Sequence, residues 1–191
     1  HPQLDVVGLG QDFSSHLDLP AELLAGARPV FFYPGSSIGN FTPADAQAFL
    51  QRAREASPGG NLLIGVDLVK AKPVLDAAYD DALGVTAAFN LNTLAHVNRL
   101  LGSNFALRQW RHVAFFDEAR SRIEMHLEAR EAVTVRWPGG ERRFAAGEHI
   151  HTENSCKYTV ESFDALLRRA GYLHTRCWTD EQGWFAVFAA S

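Results

Sequence analysis

Apolar positions follow two rhythms along this chain, and the change from one to the other divides it. Leu4 to Leu9 and Pro29 to Tyr33 are compact apolar runs stopped at Gly8-Leu9-Gly10 and Pro34-Gly35, and Asn61 to Leu68 is a third. Each predicts a short buried strand. Between the second and third, Thr42-Pro43-Ala44-Asp45 marks a helix start, with a hydroxyl cap, proline in the first helical position and an acid in the first turn. Phe49, Leu50 and Ala53 follow on one side of that helix, which ends near Ser57-Pro58-Gly59-Gly60. Strands alternating with helices imply a parallel α/β sheet.

From about Lys70 the rhythm becomes helical, through Val74 to Tyr79 and then Val85 to Leu101. Residues 111–150 change again: His112 to Phe116, Arg122 to Leu127, Ala132 to Trp137 and Arg142 to Phe144 are short runs between polar turns, and Trp137-Pro138-Gly139-Gly140-Glu141 is a hairpin signal. This block predicts an inserted lobe of helices and antiparallel sheet. Thr159 to Ala170 returns to helix, with Val160, Phe163, Leu166 and Leu167 on one face, Thr159 as cap and Gly171 as stop. Leu173 to Trp178 and Trp184 to Ala189 then flank Thr179-Asp180-Glu181-Gln182-Gly183 as a terminal hairpin. The expected division is residues 1–70 with 158–191 for the sheet domain and 71–157 for the lobe.

Composition narrows the function classes. Of 191 residues, 47% are hydrophobic and 21% charged, and no run reaches the ~18 apolar residues of a membrane span. Acids outnumber bases 22 to 18 and the bases are scattered, so the basic stripe of a nucleic-acid binder is missing and a small-molecule partner is expected. Cys156 and Cys177 are too few for a disulfide framework and are not spaced as a zinc site, which fits reduced thiols in a cytoplasm. The opening His1-Pro2-Gln3-Leu4-Asp5 has neither an initiator Met nor the pattern of a signal peptide, so an upstream segment is expected.

The chemistry concentrates after the second run. Pro34-Gly35-Ser36-Ser37-Ile38-Gly39-Asn40 lies beyond the carboxyl end of a predicted parallel strand, where open α/β sheets bind ligands. Its glycines allow close backbone approach, and its hydroxyls and amide suit a zwitterionic amino acid. A plain Gly/Ser/Asn turn would share that composition. Glu153 and Ser155 are two apart, so an extended segment sets both on one face. Met125 on its strand has core packing as the ordinary alternative, and Tyr79 an ordinary place on a helix. Gly8-Leu9-Gly10 lacks the third glycine and the following helix of a dinucleotide loop. His149 and His151, near Glu148 and Glu153, read as solvent-facing strand histidines rather than a metal cluster, and no metal is expected.

The loop Tyr33 to Phe41, together with Gly10-Gln11-Asp12-Phe13, Gly65 to Lys70, Tyr79-Asp80-Asp81, Gly84 to Asn90, Ile123-Glu124-Met125 and Gly147-Glu148 through Thr152-Glu153-Asn154-Ser155, resembles the histidine-specific N-α-methyltransferases of ergothioneine biosynthesis over nearly the whole chain. The resemblance implies a class I S-adenosylmethionine (SAM)-methyltransferase sheet, Rossmann-like and lacking its N-terminal strands, with an inserted α+β substrate-binding lobe. The terminal antiparallel hairpin resembles the ending of that class. Gly35, Ser37 and Asn40 match positions that hold the substrate's amino and carboxylate groups, and Tyr79 one that bonds the carboxylate. Met125, Glu153 and Ser155 match the imidazole pocket, and Asp12 and Phe13 the pair beside the adenine of SAM. The implied reaction is stepwise methylation of the α-amine of histidine to its trimethyl betaine.

Two other readings stand beside this one. Only Met125, Glu153 and Ser155 argue for imidazole, so a paralogue methylating another amino acid or amine is the second. A non-catalytic binding or interaction domain that lost the cofactor half is the third. The acidic-Gly-x-Gly loop and the ribose-binding acid of the family have no match here and are expected upstream of His1. These 191 residues alone are therefore expected to bind the methyl donor poorly.

Overall fold

The structure is a computed structural model and describes residues 3–24, 26 and 28–191. His1 and Pro2, on which the reading of the chain's opening partly rests, lie outside the described residues. In chain order come α1 (Ala21–Leu24), β1 (Val30–Tyr33), a 3-10 turn (Ser37–Asn40), α2 (Pro43–Ala56) and β2 (Asn61–Asp67). Then follow α3 (Lys72–Tyr79), α4 (Val85–Leu101), β3 (Trp110–Asp117), β4 (Arg122–Ala129), β5 (Val133–Trp137), β6 (Gly140–Phe144) and β7 (His149–Cys156). The chain ends with α5 (Val160–Arg169), β8 (Thr175–Thr179) and β9 (Phe185–Ala190). Two compact units result: 1–37 with 41–66 and 159–191, and 38–40 with 67–158.

The first unit is the α/β sheet that the strand-helix alternation predicts. β1 and β2 pair in parallel, Val30 opposite Asn61 through Tyr33 opposite Ile64, and the sheet runs β1-β2-β9-β8 with β8 and β9 antiparallel. Both helix starts hold as read: Thr42 Oγ1 accepts from the Asp45 amide at 3.2 Å, and Thr159 and Ser162 cap one another reciprocally. Phe49, Leu50 and Ala53 from α2 and Phe163, Leu166 and Leu167 from α5 are buried, with Phe163 against Phe188 of β9 at 5.1 Å. Gly65 has no room for a side chain, since a Cβ there would overlap the Pro34 carbonyl and lie 2.8 Å from the Phe185 ring.

Leu4 to Leu9 corrects the sequence reading. It forms no strand, and Leu4, Val6 and Val7 are 64%, 87% and 60% exposed. An apolar run becomes a strand only where a neighbour completes its ladder. β1 stands at the edge of the sheet without pairing to this run, and its own Val30 and Phe32 stay exposed.

The second unit makes the predicted change to helix plus antiparallel sheet. β3-β4-β7 form one sheet and β5-β6 a hairpin turning at Pro138-Gly139. The start of α4 is held by Asp81, whose carboxylate accepts from the Val85 and Thr86 amides at 3.0 and 2.8 Å. Those bonds pull its pKa down to about 2, Thr86 contributing most. Leu94 of α4 packs with Trp110, Leu127, Val135 and Phe144, while Leu75, Phe116, Ile123 and Met125 form a second cluster that Tyr79 joins. No described helix is long and apolar enough to cross a membrane.

Gly65→Ala is expected to cost about 1–3 kcal/mol by forcing its neighbours apart. Urea denaturation of the variant, compared with Gly8→Ala at an exposed position where a Cβ meets nothing and the backbone is not left-handed, measures the overpacking apart from the general loss of a glycine.

Candidate substrate-binding site

In the first unit, the loop beyond β1 begins with Pro34 and Gly35 exposed and with Ser36 at φ 58. That left-handed conformation costs a non-glycine residue about 1–3 kcal/mol and marks a segment held by its surroundings. Ser37 hydrogen-bonds the Tyr33 phenol, whose pKa is raised by burial in spite of that bond. Phe13 meets Tyr33 and Phe49 edge-on, with centroids 6.2 and 6.1 Å apart, and keeps 43% of its surface exposed. Asp12 closes a local turn: one carboxylate oxygen accepts from the Ser14 amide and hydroxyl and the other from the Ser15 hydroxyl, the Ser14 hydroxyl doing most to hold its pKa below the usual range.

The second unit brings five of the sequence-predicted residues into one neighbourhood. Glu153 lies opposite Met125 across the β4-β7 pair, and Ser155 opposite Ile123. Cross-strand partners share a face, so Glu153 and Ser155 face the side on which Met125 and Ile123 are buried. Asn40 lines an open cavity of about 350 Å³ together with His151, Thr152, Glu153 and Asn154. Gly39 sits against the end of β7, where a Cβ would come 2.8 Å from the Cys156 carbonyl and 3.6 Å from Ser155 Oγ. Only glycine lets the turn lie that close. The Tyr79 hydroxyl, at the end of α3, donates to Ser155 Oγ at 2.8 Å.

The sequence did not single out Lys157. It is 3% exposed, and its ammonium donates to Ser155 Oγ at 2.7 Å and to Tyr79 OH at 2.8 Å. It also pairs with Asp67 at 2.9 Å, and Lys70 meets the other oxygen of that carboxylate. The signal was present, because Lys157 continues the period of two from Glu153 and Ser155. Glu153 has no hydrogen-bonded side-chain partner among the described residues, and burial pushes its carboxyl upward against the opposing charge of Lys157.

A β-bulge separates Glu153 from the histidines. Met125 pairs with Glu153 but His126 pairs with His151, which leaves Thr152 as the extra residue, its hydroxyl donating to the Met125 carbonyl at 3.0 Å. Strict alternation would have put His149, His151, Glu153 and Ser155 on one face. The bulge turns the last two to the other. His149 and His151 are exposed as expected, but their companions are Glu128, Glu124 and His126. Among the described residues, Glu124, His126 and His151 form the one group with ligand atoms close enough for a metal, within 4.8 Å of one another. Arg122 already holds one oxygen of Glu124, and the two imidazoles stack at 4.6 Å with planes 18° apart. Stacked rings do not aim their lone pairs at one point.

A family model described as histidine-specific methyltransferase, SAM-dependent, matches residues 1–191. The chain is 44% identical to a histidine N-alpha-methyltransferase of Mycolicibacterium smegmatis over 193 residues, covering 100% of this chain and 59% of that protein. It is 43% identical to the protein of the same name from Mycobacterium tuberculosis, covering 94% and 56%. The ergothioneine biosynthesis protein 1 of Neurospora crassa is 32% identical over 76% of this chain and 17% of its own length. The chain thus spans less than three fifths of the two mycobacterial relatives. A family match over residues 1–191 shows that the chain belongs to the SAM-dependent, histidine-specific methyltransferases.

Proposed function

We propose that the protein containing this chain transfers methyl groups from SAM to the α-amino group of L-histidine, in three rounds, to give the trimethyl betaine hercynine, and that this chain supplies the histidine pocket. The observation that carries the reading is that Glu153 and Ser155 share one face of β7, opposite Met125 and Ile123. An unpartnered carboxylate and a buried hydroxyl on one face offer two polar contacts to a flat ring with two nitrogens, and Met125 offers it a soft wall. Asn40 opens on the same cavity as Glu153 and is placed to bind the amino-acid end. Gly35 and Ser37 belong to the loop that leads to it.

SAM supplies an electrophilic methyl group. Phe13, packed on Tyr33 and Phe49 and 43% exposed, and Asp12 beside it have the chemistry to meet an adenine. The task left to the pocket is positioning. The amine has to be neutral and held in line, and orientation of this kind is worth up to ~7–11 kcal/mol. Its proton can pass to water between rounds, so no strong general base is needed. Methylation of another amino acid is the second reading, since only the ring contacts select histidine.

Calorimetry of the full-length protein with L-histidine and S-adenosylhomocysteine, followed by a methylation assay, tests the proposal. Binding and turnover are expected, while turnover of a different amino acid in place of histidine would overturn it. Glu153→Ala is expected to weaken histidine binding about 10- to 100-fold, the loss of one charged hydrogen bond, and to weaken phenylalanine binding far less. Equal losses would remove Glu153 from the ring pocket.

The same carboxylate has a measurable effect on stability. Burial raises its folded-state pKa above the unfolded value, so its ionised form is disfavoured by folding. That cost is absent below the unfolded pKa of ~4.3 and complete above the folded one. Glu153→Gln is therefore expected to melt at a higher temperature than wild type at pH 8, with the gain gone by pH 4, while binding histidine less tightly. Thermal melts across that range check the sign.

A further inference from the structure

Serine both gives and accepts hydrogen bonds, so a serine in the pocket does not by itself say which form of an imidazole it reads. The hydrogen-bond count around Ser155 does. An ammonium carries three protons, and Lys157 Nζ has three acceptors: Asp67 Oδ2 at 2.9 Å, Tyr79 OH at 2.8 Å and Ser155 Oγ at 2.7 Å. Because the Tyr79 oxygen accepts one of them, its single proton is the one that reaches Ser155 Oγ, 2.8 Å away. Ser155 Oγ therefore accepts twice. Both its lone pairs are filled, and only its own proton remains to be used.

We infer that Lys157 and Tyr79 fix Ser155 as a hydrogen-bond donor, so that the pocket takes the substrate's ring as the neutral imidazole, with Ser155 on the bare nitrogen and Glu153 on the N–H. This rests on the histidine reading above. An imidazolium bears a proton on both nitrogens and would set one of them against the Ser155 proton. The cost of leaving two buried donors facing each other is what selects the neutral form. Lys157 is a positioning residue here, acting on the ring only through Ser155.

The charged and titratable groups that face Ser155 are few. They are Lys157 beyond the end of its own strand, Tyr79 from α3, Asp67 at the end of β2 with Lys70 on its other oxygen, and Glu153 two residues earlier. The neighbouring Cys156 thiol is pushed upward by burial, away from the acid range. Glu153 is itself an acid whose pKa burial pushes upward, so a fall in affinity with acid does not alone identify the ring as its source. A direct view of the ring's protons is needed.

L-Histidine labelled with 15N in the ring, bound to the full-length protein with S-adenosylhomocysteine at pH 6, gives that view. The free ring is mostly protonated there, with a pKa of ~6.5. The bound ring is expected to show one pyridine-type and one pyrrole-type nitrogen, and affinity to fall roughly tenfold per pH unit well below the ring's pKa. Lys157→Met returns a lone pair to Ser155, and its bound ring at pH 6 is expected to show two pyrrole-type nitrogens with the acid-side loss flattened severalfold. Two pyrrole-type nitrogens in the wild type, or a neutral ring retained in the variant, would overturn the inference. Should Lys157→Met fail to fold, Ser155→Ala removes the donor with less disturbance and is expected to lose the preference for the neutral ring; retention of that preference would count against Ser155 as its source. No binding at any pH would overturn the histidine reading as well, whereas binding as the imidazolium would overturn this inference alone.

Discussion

A buried ammonium organises the second unit. Lys157 is withdrawn from water, and a charge so placed is tolerated only where its desolvation is offset by close partners of the right kind. Asp67 supplies the opposite charge, and Tyr79 and Ser155 take the remaining protons. These groups come from the end of β2, the end of α3 and the end of β7, so one cation fixes three chain segments at a single point. The backbone repeats the connection, with the Tyr158 amide on the Asp67 carbonyl at 3.2 Å and the Val69 amide on the Tyr158 carbonyl at 2.9 Å. Removing one partner of such a buried pair typically costs about 3–5 kcal/mol, mostly because the other is left uncompensated. An apolar residue of similar shape could hold the segments together as well. What it could not do is dictate where the protons of Tyr79 and Ser155 point, and that is the respect in which a lysine differs from a methionine here.

Glu153 shows the opposite economy. Lys157 is fully partnered, whereas Glu153 has no hydrogen-bonded side-chain partner among the described residues and has its pKa pushed upward by partial burial. A group left unsatisfied in the folded protein is satisfied by something that arrives later, and the cavity shared with Asn40 is open to such an arrival. The two side chains lie four residues apart, one completing the architecture and the other facing an open cavity. Perturbed and underpartnered titratable groups concentrate at binding sites for this reason.

Much of this was legible in the sequence where local chemistry decides the outcome. The Thr42-Pro43 and Thr159 helix starts, the Gly139 hairpin and the change from alternation to an antiparallel lobe follow from caps, turns and periods, which act over a few residues. Leu4 to Leu9 was misread because an apolar run states only that a strand is possible, while the partner that would make it one is a matter of the whole sheet. Lys157 was missed for a related reason. A lysine is read as solvated by default, and its burial depends on Asp67 and Tyr79, 90 and 78 residues earlier in the chain. The resemblance pointed to Glu153 and Ser155, while the bonds from Lys157 and Tyr79 to Ser155 are visible only in the fold.

The bulge at Thr152 is where sequence and fold part most sharply, and it explains how one strand serves two chemistries. A regular β7 would line His149, His151, Glu153 and Ser155 along a single face. One extra residue reverses the alternation, so the histidines lie on the face of Glu124, His126 and Glu128, and Glu153 and Ser155 turn toward Met125 and Ile123. A bulge disrupts one step of the ladder, and here the Thr152 hydroxyl on the Met125 carbonyl recovers part of that loss. The irregularity therefore gives one strand two polar faces, while the His151 ring still reaches the Glu153 carbonyl at 3.0 Å on the rim of the cavity that Glu153 and Asn40 share.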